Sequence, residues 1–222
     1  MRHRFLRVIS AALLSTAIAA QAQHTSRAQK AALAQKTKLA KALCSSKPGE
    51  RRATIEAVVA STGPALPWLL AWAKCPLDSA WVKCKDGPPL VYRVDPWSLF
   101  WPMAEIFGRL RVKEAIPYLI ENIWIGNGPI RKDDPELHTQ SPAIHALLQI
   151  GPDATPALLQ ALRKWPSRSN APPYRQNHLG ILIALAYMDD PRARTALEQA
   201  AKEPGFEGKV AQEGLPRLDK KK

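Results

Sequence analysis

No stretch of this 222-residue chain is apolar over the ~20 residues that a membrane span needs. The nearest, VISAALLSTAIAA at 8–20, ends after 13 residues. Catalytic signatures are missing as well. There is no G-x-S-x-G turn, no H-E-x-x-H helix and no phosphate-cradling glycine loop, so no residue is nominated as catalytic and no cofactor is expected. The acidic run DDPELH at 133–138 lacks the alternating ligands of a calcium loop, and three cysteines make a poor zinc set; no metal site is expected. Acids are wholly absent from Gln23 to Gly49, a segment with six basic residues: Arg27, Lys30, Lys36, Lys38, Lys41 and Lys47.

What is present at the start reads as an address. Arg2, Arg4 and Arg7 precede the 8–20 apolar core, and Ala20-Gln21-Ala22 fits the small-x-small cleavage rule. This pattern predicts a secretory signal peptide over 1–22. No cysteine stands directly after the apolar core and no adjacent arginines precede it, which disfavours a lipid anchor and twin-arginine export. Cleavage near Ala22 removes three arginines and no acid, lowering the formal charge from +13 to +10. The expected location is periplasmic or secreted. The 200 residues left suffice for one domain with a real core.

Helical periodicity dominates the rest. The stretch SPAIHALLQIGPDATPALLQALRKW at 141–165 reads as two short amphipathic helices about a tight turn. Anchored on Pro156, it aligns with segments anchored on Pro67, Pro117 and Thr195, at spacings of 50, 39 and 39 residues. Two residues before each anchor stands Ala65, Ala115, Ala154 or Ala193; two after it stands Leu69, Leu119, Leu158 or Leu197. Positions −2, +2 and +6 share one helix face, the last filled by Ala73, Ile123, Leu162 and Ala201. A leading helix matches too: Ile55, Val58 and Val59 stand opposite Ile144, Leu147 and Leu148 without a gap, an i, i+3, i+4 stripe suited to a core. His145 falls in the slot of Glu56, and is expected to face solvent. The second and fourth copies keep the pattern with about one residue of slack in the turn.

A period near 40 with a helix–turn–helix unit is the mark of a helical solenoid. Through ALLQIGPDATPALLQAL (146–162) and IFGRLRVKEAIPYLIENI (106–123), the chain resembles the HEAT-repeat family and, more loosely, armadillo-like helical proteins. The resemblance spans roughly 50–203 and implies an all-α superhelix of about four hairpins. It implies architecture more than chemistry. The metal-dependent hydroxylases of this architecture carry His-Glu pairs, which this chain lacks; the basic alkylated-DNA glycosylases fit poorly with export. Residues 23–49 are expected to form a basic N-terminal capping helix, 50–205 the repeat domain, and 206–222 a short cap and a loose basic tail.

Turns within copies are short, whereas the links between copies, about 75–97, 125–140 and 166–176, are long. Function tends to sit in such links because the helices are committed to packing. Five of seven tryptophans fall between 68 and 101. Trp68, Trp72 and Trp101 are expected to pack; Trp81, Tyr92, Arg93 and Trp97 are candidate binding residues on an aromatic link. Arg168, Tyr174 and Arg175 on the third link complete the set. In an exported chain, three cysteines invite one disulfide and a spare thiol: Cys75–Cys84 is favoured, Cys44–Cys75 next. The function expected is a protein-binding or scaffold module. The alternatives are a basic envelope protein that binds an anionic polymer or lipid head groups, and an enzyme with a site in the 75–97 link. Another protein is the expected partner; nucleic acid is not.

Overall fold

A computed structural model of the chain describes residues 30–32, 34–61, 65–74, 96–124, 141–164 and 174–219, with the backbone alone at 96–97 and 174–176. These residues are all-helical, and no strand occurs among them. Helix α1 is present at 30–32 and 34–43. It is followed by α2 (Pro48–Ser61), α3 (Leu66–Ala73), α4 (Pro96–Arg109), α5 (Ile116–Glu121), α6 (Pro142–Ile150), α7 (Thr155–Lys164), α8 (Tyr174–Tyr187), α9 (Arg194–Ala200) and α10 (Phe206–Asp219). Three-residue 3-10 turns over Lys113–Ala115, Pro152–Ala154 and Pro191–Ala193 lead directly into α5, α7 and α9.

Each alignment anchor is the second residue of its helix: Pro67 in α3, Pro117 in α5, Pro156 in α7 and Thr195 in α9. Proline is tolerated there because first-turn N–H groups have no carbonyl to meet. The leucine two residues on has the same fate in every copy: Leu69, Leu119, Leu158 and Leu197 are fully buried. Burying each such side chain contributes about 1.5–3 kcal/mol. The alanines two residues before the anchor are fully buried in the last three copies, and Ala65 partly so. Their N–H groups close the same bond three times, Ala115 to Val112 O, Ala154 to Gly151 O and Ala193 to Asp190 O, at 2.9–3.1 Å.

The extra turn residue also has a physical account. Arg111, Gly151 and Asp189 all have positive φ, at 51°, 83° and 54°. Gly151 enters its 3-10 turn at once. Arg111 and Asp189 are each followed by one extended residue, Val112 and Asp190. After α4 the chain makes a Schellman closure, with Val112 N donating to Phe107 O at 2.9 Å and Arg111 N to Gly108 O at 3.0 Å. Val112 and Phe107 are both buried, the apolar contact that usually accompanies this motif.

The leading helices meet in chain order. α2 packs on α4, α4 on α6, α6 on α8, and α8 on α10. The α4–α6 approach is close at Gly108, where a Cβ would stand 2.7 Å from Ala146 Cα. The second helices join alongside: α5 packs on α6 and α7, α7 on α8, and α9 on α8 and α10. Ile55 and Val58 are buried like Ile144 and Leu147, while Val59 and Leu148 are both half-buried, as the gapless alignment predicts.

The C-terminal segment differs from expectation. Residues 206–219 form a packed helix rather than a short cap and loose tail. Gly214 lies against α8, where a Cβ would come within 2.8 Å of Ala186 Cα. Val210, Ala211 and Leu218 are buried, Arg217 lies 4.0 Å from the centre of the Tyr187 ring, and Arg194 pairs with Asp219. A helix of modest apolar content is held because α8 and α9 supply its missing apolar face.

Candidate functional site

The links enter the fold at the starts of α4, α6 and α8. Of the candidate binding residues, Trp81, Tyr92, Arg93 and Arg168 lie outside the described residues. Trp97 falls in the first turn of α4, and Tyr174 and Arg175 open α8, placed by backbone alone. Cys75, Cys84 and the expected signal peptide are likewise outside the described residues. Cys44 is half-buried just after α1, against the core. The tryptophans expected to pack do so in part. Trp72 is buried and Trp101 is half-buried against the core, whereas Trp68 is half-buried with Lys36 Nζ 5.4 Å from its ring centre.

Three polar residues are buried where the second and third links enter: Ser141 at the start of α6, and Asn177 and His178 in the first turns of α8. Asn177 is only 3% exposed, and its Oδ1 has no hydrogen-bond donor among the described residues. Such an acceptor is costly to bury. Sequence reading passed over Asn177; the available signal was a polar pair opening the apolar run LGILIALA.

Among the described residues, the densest polar constellation lies at the short turns instead. Asp190, 3% exposed, accepts from Thr155 Oγ1 at 2.7 Å, from Arg192 N at 2.9 Å and from Arg192 Nη2 at 2.6 Å. Arg192 Nη2 also donates to Pro152 O at 2.6 Å. The bonds from Arg192, and then from Thr155, hold the Asp190 carboxyl down at about 2, against the desolvation that would raise it. A carboxylate so committed stays ionised and cannot shuttle a proton at neutral pH. Its chemistry is structural: it ties the turn before α9 to the start of α7. Lys113 and Asp153 pair across successive turns at 2.7 Å. That contact raises the Lys113 pKa, through the hydrogen bond first.

Beside the leading helices, Val59, Gly108, Arg109, Arg111 and Gln149 line an open recess of about 410 Å3. Arg109 is engaged in a bidentate pair with Glu56, both bonds 2.8 Å, which joins α4 to α2 and lowers the Glu56 pKa. Among the described residues, no nucleophile or carboxylate lines the recess. Gln149 Nε2 donates to His145 Nε2 at 2.9 Å. His145, expected to face solvent, is in fact half-buried, because Gln149 one turn on folds against it. Among the described residues, no three His, Cys, Asp or Glu side chains gather as a metal set, and no helix is long and apolar enough to cross a membrane.

A scan against protein-family models finds no match, and neither the curated proteins nor the solved structures yield one.

Proposed function

We propose that this chain is an exported α-solenoid of four HEAT-like hairpins, with α1 as its cap, and that it acts as a protein-binding or scaffold module without catalysis. The observation that carries the reading is the equivalence of Leu69, Leu119, Leu158 and Leu197. Each is fully buried at the fourth position of the second helix of its copy, while the leading helices meet in chain order. Repeat proteins commit both helices of each copy to packing and leave the links as the variable surface; here α5 of the second copy also reaches α8 of the fourth. Recognition is assigned to Trp81, Tyr92, Arg93 and Trp97 on the first link and to Arg168, Tyr174 and Arg175 on the third. Aromatic side chains with arginines are the residue types that most often dominate binding energy at protein interfaces. Cleavage near Ala22 would deliver the chain to the periplasm or the exterior.

Crosslinking and pull-down of the full chain from its own cell envelope tests this. A protein partner retained at high salt and lost in the W81A/W97A/Y174A variant is the expected result. If that triple variant keeps every interaction of the parent, the assignment to the links is wrong.

A further inference from the structure

Helix α1 has two chemically distinct sides. Ala40 and Leu43 are fully buried, and Leu39 and Cys44 pack against the core. Lys36, which belongs to the same basic segment, lies over the Trp68 ring and so covers α3. The other side is different. Lys30, Ala34, Thr37, Lys38 and Lys41 line one open recess of about 480 Å3. Their spacing keeps them on a single helical face. All three lysines and Ala34 are exposed. The sequence from 23 to 49 contains no acid that could neutralise this face from within the segment.

We propose that the Lys30–Lys38–Lys41 face of α1 is a docking surface for a bilayer rich in anionic head groups, held by charge without insertion. Its shape is shallow and open, which suits a flat array of phosphates better than the groove that tracks a single strand. Among the described residues no aromatic side chain lines it, so they offer no stacking platform of the kind that proteins use for single-stranded nucleic acid. Its described lining residues also include none of the bulky apolar side chains that an inserting amphipathic helix buries among acyl chains; Leu39 and Leu43 of α1 are already used inside the fold. Lysine supplies a compact point charge with no bidentate geometry to satisfy, which fits laterally mobile head groups. The formal charge, +13 for the full chain and +10 after cleavage near Ala22, places a field of the same sign behind the patch. This surface is independent of the links, so either assignment can fail alone.

The test is co-sedimentation of the full chain with vesicles. One set contains about 30% phosphatidylglycerol in phosphatidylcholine and the other is pure phosphatidylcholine, each at ~50 and ~300 mM salt. Binding to the anionic vesicles should exceed binding to the neutral ones and should fall at the higher salt. The K30Q/K38Q/K41Q variant should bind anionic vesicles about a hundredfold more weakly than the parent. K36Q should keep most of the parent's binding, since Lys36 faces Trp68. The proposal is overturned if the triple variant matches the parent, if neutral and anionic vesicles bind equally, or if soluble polyphosphate is bound while anionic vesicles are not preferred. The comparison of vesicles with the parent chain alone stands whether or not the triple variant folds.

Discussion

Thr155 Oγ1 donates to Asp190 Oδ2 at 2.7 Å, and both residues are buried. They are 35 residues apart in sequence, one at the start of α7 and the other in the turn before α9. The bond therefore fastens one helical hairpin to the next, and Arg192 completes it by binding Asp190 and Pro152 O together. Removing one partner of such a set leaves the others buried and unsatisfied. Asp190→Ala is expected to cost about 3–5 kcal/mol, and Thr155→Val about 1–3 kcal/mol, in urea unfolding monitored by circular dichroism. A loss under 1 kcal/mol for Asp190→Ala would mean the cluster is ornamental.

The same carboxylate sets a pH dependence. Its folded pKa of about 2 lies below the ordinary 3.8, so the unfolded chain takes up the proton first as pH falls. The stabilisation is therefore complete above about pH 4 and is lost as pH drops toward 2, amounting to about 2 kcal/mol. Unfolding free energies measured from pH 6 to 2 should show this decline in the parent. Asp190→Asn should flatten it.

Gly151 combines φ of 83° with ψ of −151°, a region that only glycine occupies at ease. Gly151→Ala should destabilise by about 1–3 kcal/mol, although nothing lies within 4 Å of the added carbon. Arg111 occupies the equivalent place with φ of 51° in a Schellman closure that ordinarily favours glycine. Arg111→Gly should thus stay within about 1 kcal/mol of the parent, since relief of strain offsets the added freedom of the unfolded chain. Equal losses in the two variants would contradict the backbone assignment.

Helix spacing gives a third comparison. Gly108→Ala and Gly214→Ala each drive a methyl into a neighbouring helix, against Ala146 and Ala186. Each should lose about 1–3 kcal/mol. Gly49→Ala, in the first turn of α2 with nothing within 4 Å, should gain up to about 1 kcal/mol. Thermal melts of the three variants separate close packing from glycine content as such.

The leucine column can be read as a series. Leu119→Ala and Leu158→Ala, in the two middle copies, should each cost about 2–5 kcal/mol in chemical unfolding. A cost near zero at either position would remove it from the core that the four copies share.

What the sequence determined by itself is the part written in short-range periodicity. The anchors, the alanines before them and the leucines after them are each fixed by which face of a helix is dry, and that follows from residues three and four apart. The tight turn within 141–165 was legible for the same local reason. Tertiary structure alone decided what depends on residues far apart. The bond between Asp190 and Thr155 exists only because two hairpins meet. Residues 206–219 look polar in isolation and become a helix because α8 and α9 cover their few apolar side chains. Lys36 and Lys38 are two residues apart and read as one basic run, yet packing on Trp68 takes Lys36 inward and leaves Lys38 facing water. Local pattern records which face of a helix is apolar; which neighbour covers that face, and which charges remain outside, is settled only when the helices are assembled.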